Sequence, residues 1–342
     1  MSKRVLITGG AGFIAHHVID HLLKNTDWEI VSLDRLDYSG NLNRLADLLA
    51  DESPSVKKRV KIIYHDLKAD ISPLTRSMIG PVNYVYHLAA GSHVDRSITF
   101  PLEFVMDNVV GTCNILEYAR TLDELELFVN FSTDEIFGPA PPGVFYKELD
   151  RYNSSNPYSA TKAGAEELCV AWQNTYKMPI YITHTMNVFG ERQHPEKYIP
   201  MCVKRVQEGS KISIHSDSSK TIPGSRHYVH AKDVAEGLLF ITQLKDFERL
   251  ADYGDAHCPK FNLVGKEEVN NLEVAQIIAA AQGKPLNYEL VDFHSARPGH
   301  DLRYALSGDY MRKLGWEPRV SLRERLEEVV NWTLEHDAWL KI

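Results

Sequence analysis

Short apolar runs alternate with helix-spaced apolar positions through the first half of the chain. Val5-Leu6-Ile7 is a strand-like run that stops at Thr8-Gly9-Gly10. From Phe13 to Leu23 the apolar residues recur at helical spacing. Glu29 to Leu33 reads as the next strand. Val60 to Tyr64 and Asn83 to Leu88 follow as two more, with a helix between them. Leu102 to Tyr118 reads as a helix, Leu125 to Phe131 as a strand, Pro157 to Tyr176 as a helix and Pro179 to Thr183 as a strand. Such alternation predicts an α/β fold: a doubly wound parallel sheet with helices on both faces and its ligand sites at the carboxyl ends of the strands. After about Gly190 turn-forming residues become denser (His194-Pro195, Gly209-Ser210, Ser216 to Ser219, Pro223-Gly224) and the elements shorten. The division predicted is 1–190, to which later segments return, and a smaller α/β region over 191–342.

Composition narrows the class. A chain of 342 residues fits about two domains at roughly 150 residues each. With 44% hydrophobic and 25% charged residues it can build a sizeable core, which excludes a disordered chain. No apolar stretch approaches the ~18 residues of a membrane helix. Met1-Ser2-Lys3-Arg4 runs straight into the first strand without the apolar region of a signal peptide. The net charge of −8 opposes general nucleic-acid binding. Cys113, Cys169, Cys202 and Cys258 are far apart and form no C-x-x-C pair, so a reduced, cytoplasmic setting is expected. The 15 histidines match no zinc pattern, and no metal is expected.

Gly9-Gly10-Ala11-Gly12-Phe13-Ile14-Ala15 follows a strand and opens a helix. The glycines allow a tight turn, and the helix N-terminus offers free N–H groups and a positive dipole end to a pyrophosphate. The spacing is G-x-x-G-x-x-A, with a residue small enough at the last position for helix–strand packing. This context predicts a Rossmann-type dinucleotide site, with the smaller C-terminal region binding substrate. Asp34 ends the second strand, where a carboxylate accepts from both ribose hydroxyls and repels a 2′-phosphate. NAD is therefore the expected cofactor, although the neighbouring Arg35 is of a type that could accommodate that phosphate. Asp66-Leu67, after the third strand, is placed to flank an adenine, and Ala89-Ala90, after the fourth, lies along the expected cofactor path.

Tyr158-Ser159-Ala160-Thr161-Lys162 is Y-x-x-x-K at the start of a helix, which puts both side chains on one face. A tyrosine with its ordinary pKa of about 10 is a poor base at neutral pH. A nearby ammonium and a cationic nicotinamide ring would favour the phenolate. Tyr158 would then remove a hydroxyl proton while hydride leaves the same carbon, and Lys162 would also hold the nicotinamide ribose. An exposed helical Tyr–Lys pair is the plainer alternative. Thr133-Asp134-Glu135 follows a buried-looking strand, Phe128 to Phe131, whose end faces the ligand side of such a sheet. Thr133 could bond the hydroxyl that Tyr158 attacks. Asp134 and Glu135 are either a solvated turn or the acid and base of an elimination.

Together Gly9–Ala15, Thr133-Asp134-Glu135 and Tyr158–Lys162 resemble the extended short-chain dehydrogenase/reductase family that acts on nucleotide sugars. Within it the chain is similar to the 4,6-dehydratase branch that works on dTDP-glucose. Leu88 to Ser97, the stretch Asn187…Gly190…Pro195-Glu196-Lys197…Ile199-Pro200, and Arg297-Pro298-Gly299-His300-Asp301…Arg303-Tyr304 extend the likeness from about residue 3 to about residue 320. The resemblance implies one tightly held NAD and three steps: C4 oxidation with Tyr158 as base, C5–C6 elimination of water with Glu135 as base and Asp134 as acid, and reduction at C6. Thr133 would orient the C4 oxygen. It implies substrate contacts at Ser92, His93, Asn187, Arg226, Arg297 and Tyr304, the two arginines clamping the diphosphate, with His300 a further candidate. It also implies a homodimer through the helices at about 102–118 and 157–176, for which Leu102, Val105, Val109, Leu116, Leu168 and Trp172 are the apolar candidates.

The sequence departs from the family pattern at Gly91 (often Glu), at His184 (often Arg), at Ile136-Phe137-Gly138 (Val-Tyr-Gly) and at Ser225-Arg226-His227. No proposed catalytic group is lost, but the nucleotide base stays open, with dTDP or UDP favoured. Two other readings remain at this stage. A nucleotide-sugar 4-epimerase or decarboxylase would use Tyr158 and NAD without needing Asp134 and Glu135. A non-catalytic NAD-binding protein would need only the glycine loop.

Overall fold

The computed structural model describes residues 2–244, 258–292 and 303–341. Two compact units are interleaved along the chain. The first comprises Met1–Ile136, Asn156–His184 and Ala235–Phe261. The second comprises Phe137–Ser155, Thr185–Val234 and Asn262–Ile342.

The strands, in chain order, are β1 (Arg4–Thr8), β2 (Glu29–Asp34), β3 (Val60–Tyr64), β4 (Tyr84–His87), β5 (Leu127–Thr133), β6 (Ile180–Thr185), β7 (Val188–Phe189), β8 (Ile212–Ser216), β9 (Ser225–His227), β10 (Val229–His230), β11 (Lys260–Leu263), β12 (Glu268–Asn270) and β13 (Tyr288–Asp292). A seven-stranded sheet has the order β11-β6-β5-β4-β1-β2-β3. The pairings of β2 with β1 and β3, and of β4 with β1 and β5, are parallel. Strand order reverses between β1 and β4, where an open α/β sheet leaves a ligand crevice at its carboxyl end. There Thr8 sits opposite His87. The central strands are apolar on both faces, as a doubly covered parallel sheet requires. Val5, Leu6, Ile7, Val85 and Phe128 are fully buried.

Several element ends differ from the sequence pattern. The strand expected over Leu125–Phe131 runs over Leu127–Thr133, so Thr133 is its last residue rather than part of the following turn. The helix expected over Leu102–Tyr118 is continuous but contains a π segment, Val105–Val110, between Pro101–Phe104 and Gly111–Ala119. Apolar periodicity cannot distinguish one wide turn from two ordinary ones. A short helix, Val94–Thr99, was not anticipated. Of the apolar residues assigned to a subunit interface, Leu116 lies in the core and Leu168 and Trp172 pack against it, whereas Leu102 is exposed.

In the second unit β7 pairs with β10 and β13 with β8 in parallel, and β12 with β9 antiparallel. Its core joins Phe189, Val203, Ile212, Val274, Ile278, Leu326 and Val330. The segment 137–155 is held in this unit through its backbone. Tyr146 N–H donates to Ala305 O (2.9 Å) and Ser307 N–H to Tyr146 O (2.8 Å). Such pairing leaves no hydrophobic period to read. Among the described residues no helix is long and apolar enough to cross a membrane, and no side-chain cluster could hold a metal ion.

Candidate active site

The glycine loop is shaped by close packing. Gly9 has φ +70°, and a Cβ on it would lie 2.9 Å from both Cα and N of Ala89. Only glycine makes that turn without moving the end of β4. Gly9 N–H donates to Leu33 O and Gly12 N–H to Gly9 O, both at 2.8 Å. Gly12 then starts the helix Phe13–Asn25 with no side-chain cap and no acid in the first turn. The first N–H groups are thus left for an external anion. Gly9, Gly12, Phe13 and Ile14 are partly exposed, as a ligand contact requires.

Asp34, the last residue of β2, is buried. Its Oδ2 accepts from Ala11 N–H (3.0 Å) and its Oδ1 from Leu36 N–H (2.7 Å). Burial raises its pKa, and these two amides oppose that. Each oxygen keeps a lone pair for a ribose hydroxyl. Arg35 is engaged elsewhere. Its guanidinium grips Asp107 (2.5 and 2.8 Å) and Asp37 (2.9 and 2.6 Å), and Asp66 lies 3.8 Å away. Hydrogen bonding to Asp107 raises its pKa further. A 2′-phosphate entering here would meet Asp34, Asp37, Asp66 and Asp107 instead of a free arginine. The donor set therefore fits a dinucleotide whose 2′-hydroxyl is unmodified. Leu67 is buried, with its carbonyl accepting from Asn114 (2.7 Å). Ala89 N–H donates to Thr8 Oγ1 (3.1 Å), and Ala89 and Ala90 are partly exposed beside the glycine loop.

The residues expected to handle protons meet at the end of β5. Asn156 starts the helix Pro157–Tyr176 through a capping box. Its side chain accepts from Ser159 N–H (2.9 Å), while Ser159 Oγ accepts from Asn156 N–H (3.3 Å). The same side chain donates from Nδ2 to Glu135 Oε2 (3.0 Å). One capping residue thus fixes both the helix carrying Tyr158 and the carboxylate of Glu135. Tyr158 N–H donates to Ser97 Oγ (3.1 Å), which pins the helix start a second time. Thr133 Oγ1 donates to Asp134 Oδ1 (3.0 Å) and accepts from Glu135 N–H (3.4 Å), and the Thr133 side chain acts on the Tyr158 phenol in favour of its ionised form. Lys162, one turn after Tyr158, is buried and donates to Phe131 O (2.6 Å).

Burial pushes the Tyr158 phenol well above its ordinary pKa. The Glu135 and Asp134 charges add to this, and the Thr133 side chain works against it. This departs from the expectation that Lys162 would draw the phenol down. The ammonium is turned to Phe131 O, and the carboxylates lie on the phenol's side. Burial brings Lys162 itself down to about 8, while Glu166 holds it up.

Ser92 is exposed in the loop after β4. His93 caps the helix Val94–Thr99, accepting from Arg96 N–H (3.4 Å). In the second unit Arg226 lies 4.7 Å over the Tyr304 ring and donates to Ser225 O (2.7 Å). Asn187 is exposed, with its carbonyl accepting from Val229 N–H (3.1 Å). Arg297 and His300 lie outside the described residues.

Sequence reasoning missed Ser97, Asn156 and Asn108. Asn108, in the π segment, donates to Gly91 O (3.0 Å) and Thr161 Oγ1 (2.9 Å) and accepts from Gly91 N–H (2.7 Å). It ties the loop after β4 to the helix of Tyr158. Asn156-Pro157 was readable as a helix start. Asn108 carries no comparable signal.

This arrangement defines a dinucleotide-binding α/β protein with a buried Tyr–Lys helix and a Thr-Asp-Glu turn. Residues 6–329 match the family model described as GDP-mannose 4,6 dehydratase, and the chain belongs to that family. It is 34% identical to a dTDP-glucose 4,6-dehydratase of Salmonella typhimurium, over 98% of this chain and 94% of that protein. It is 35% identical to the low-salt glycan biosynthesis protein Agl12 of Haloferax volcanii, over 97% and 99%. The crystal structure of a dTDP-glucose 4,6-dehydratase from Streptomyces venezuelae with NAD bound matches with a TM-score of 0.82 at 32% identity, covering 98% of each chain.

Proposed function

We propose that the protein is an NAD-dependent nucleotide-sugar 4,6-dehydratase, a hydro-lyase converting dTDP-glucose or UDP-glucose into the 4-keto-6-deoxy sugar. The observation that carries this is the Asp134–Glu135 pair, set on Thr133 beside the Tyr158 phenol. An epimerase or simple oxidase has no use for two carboxylates there. The names of the relatives place dTDP-glucose first among the substrates to test.

The residues that would hold NAD are Gly9, Gly12, Phe13 and Ile14 at the pyrophosphate, Asp34 at the adenosine ribose, Asp66 and Leu67 at the adenine, and Ala89, Ala90, Tyr158 and Lys162 toward the nicotinamide end. Bound there, NAD would supply a hydride acceptor for C4 and a hydride donor for C6. Tyr158 takes the proton of the 4-hydroxyl, with Thr133 holding that oxygen. Lys162 is proposed to hold the nicotinamide ribose, and with the dinucleotide bound the ring's positive charge together with the Lys162 ammonium would favour the phenolate. The 4-ketone acidifies the proton on C5, and Glu135, oriented by Asn156, removes it. Asp134 gives a proton to the 6-hydroxyl, which leaves as water. A proton returned to C5 completes the product. Arg226 and Arg297 suit a diphosphate, and Tyr304 sets the plane of the Arg226 fork. Ser92, His93 and Asn187 are proposed as further substrate contacts.

The first unit is thus assigned to the cofactor and the second mainly to substrate. A homodimer through the helices near 102–118 and 157–176 is proposed, since Leu102 is 71% exposed and Ile98, Phe100 and Val105 beside it are exposed as well. A cytoplasmic setting accords with the four free cysteines.

The test is incubation of the purified protein with dTDP-, UDP-, CDP- and GDP-hexoses without added NAD, read by mass and by the base-induced absorbance of a 4-keto sugar. Loss of one water from a single nucleotide sugar supports the proposal and names the base. A mass-neutral change points to an epimerase and leaves Asp134 and Glu135 unexplained. No change, even with NAD supplied, defeats the proposal.

A further inference from the structure

Below Tyr158 the helix Pro157–Tyr176 keeps a row of ionisable groups on its inner face. Tyr158, Lys162 and Glu166 are spaced by four residues and are all buried. Glu166 is 0% exposed. A lone carboxylate in such a place would cost several kcal/mol, so its partners decide its state. Two strands supply them. Glu166 Oε2 meets His184 Nε2 of β6 at 3.1 Å and Lys260 Nζ of β11 at 3.5 Å. Burial works against the Glu166 charge, and His184 and Lys260 more than reverse it. On its other side Glu166 stands one helical turn from Lys162 and favours the ammonium there. One buried carboxylate therefore faces two buried lysines, of which only Lys162 adjoins the site.

We propose that Glu166 is a positioning residue whose carboxylate serves Lys162 and Lys260 together, so that Lys260, remote from the reacting atoms, governs the charge that Lys162 presents to Tyr158. The proposal rests on the reading of Tyr158 and Lys162 as the proton-handling pair. Among the described residues, Ser132 of β5 also acts on Glu166, and further groups face the cluster. His87 of β4 is held neutral by burial, with its pKa drawn down to about 3. Cys169 of the same helix and Cys258 beside β11 are buried thiols with raised pKa values. Phe131 O of β5 receives the Lys162 hydrogen bond. Asp134 and Glu135, in the turn after β5, act on the phenol. His184 is the remaining group on β6.

The consequence is a pair of opposite shifts. Removing the Glu166 charge leaves Lys162 facing a second buried cation without its counter-ion, so Lys162 loses its proton at lower pH. Removing the Lys260 charge takes away a competing cation, so Lys162 keeps its proton to higher pH. A role in packing alone gives no such opposition, because both variants would lower kcat at every pH.

The experiment compares Glu166→Gln, Glu166→Asp and Lys260→Met with the wild-type full-length protein. Lys162 is titrated by NMR of protein labelled at lysine Cε, assigned with Lys162→Met, and the basic limb of kcat is recorded alongside. The expected result is a displacement on the order of one pH unit downward for Glu166→Gln and a smaller upward displacement for Lys260→Met, with near-normal behaviour for Glu166→Asp. Displacements of the same sign, or none in either titration, overturn the proposal. If Glu166→Gln does not fold, Lys260→Met and Glu166→Asp decide it alone. The NMR titration reads the cluster without turnover. A protein with the two shifts but no dehydration keeps the coupling and loses the functional reading.

Discussion

Replacing Gly9 by alanine tests whether the glycine loop is fixed by the geometry described. Two costs add. An alanine at φ +70° pays roughly 1–2 kcal/mol for the left-handed region. Its Cβ would also stand 2.9 Å from two backbone atoms of Ala89, where ordinary carbon contacts begin at about 3.5 Å. The Ala89 backbone cannot swing away like a side-chain tip, because its N–H is bonded to Thr8 Oγ1 and Tyr84–His87 just before it is locked in register with Val5–Thr8. Overpacking of that kind costs about 1–3 kcal/mol. The first unit should therefore lose about 2–5 kcal/mol. Gly143→Ala separates the two terms. Gly143 has φ +77° with nothing within 4 Å of the added Cβ, so only the first cost of roughly 1–2 kcal/mol applies. Hydrogen exchange of peptides spanning each glycine, in cofactor-stripped protein, gives the local free energies. Gly9→Ala should also retain less NAD through purification, since the helix start must shift. Equal losses for the two variants would refute the close-approach argument.

Three further outcomes follow from the charges. Asp37→Asn combined with Asp107→Asn frees the Arg35 fork and removes two charges facing a 2′-phosphate; by calorimetry NADP affinity should rise about tenfold or more relative to NAD, and an unchanged ratio contradicts the caging of Arg35. Asp134→Asn and Glu135→Gln should each slow water loss by about 10²–10⁴-fold while still permitting C4 oxidation, so that reduced cofactor accumulates on the protein; loss of oxidation as well would mean that the carboxylates only shape the site. Glu268 is held near a pKa of about 2, first by its hydrogen bonds to Arg303. Its folded value lies below the unfolded one, so its contribution is complete above about 4.5 and disappears as pH falls toward about 2. Partly exposed, the pair is worth on the order of 1 kcal/mol. Arg303→Met should abolish that slope in acid unfolding of the second unit, and an unaltered slope would assign it elsewhere.

What was legible in the chain follows what each feature encodes. β1 to β4 and the helix Pro157–Tyr176 announce themselves because burial on two faces, or on one face of a long helix, demands a continuous or periodic apolar pattern. The glycine loop and Y-x-x-x-K were readable because backbone freedom and four-residue spacing are local properties. Asn108, Ser97 and the cage around Arg35 were not. Each joins residues dozens of positions apart, and nothing at Asp107 reveals that Arg35 will close on it. The segment 137–155 was hidden for a related reason: its attachment runs through main-chain hydrogen bonds near Tyr146 rather than through an apolar stripe. The one-residue overlap of β5 with the Thr-Asp-Glu turn shows the same limit at small scale, since Thr133 ends the strand while its side chain already belongs to the site.

The carboxylates proposed to carry out the elimination work against the proposed first step. Glu135 and Asp134 raise the cost of a phenolate at Tyr158, and burial raises it further. An enzyme that only oxidised C4 would be better served by neutral neighbours there. Placing both carboxylates beside Thr133 makes sense when the same few ångströms must handle the proton on C5 and the leaving hydroxyl on C6 as well. The opposing positive charge must then come from the helix side, and Lys162 is the side chain the fold puts there. Burial also draws Lys162 down, and it stands at about 8 with Glu166 already holding it up. A buried counter-ion one turn further along is the economical way to hold it, and Glu166 is the residue at that position. On this argument the Thr-Asp-Glu turn and the Glu166 cluster are two halves of one charge balance, and weakening the second should be felt most by the C4 oxidation that the first makes difficult. A Lys162-dependent fall in oxidation at high pH, with elimination from a preformed 4-keto substrate unaffected, is the outcome that this balance requires.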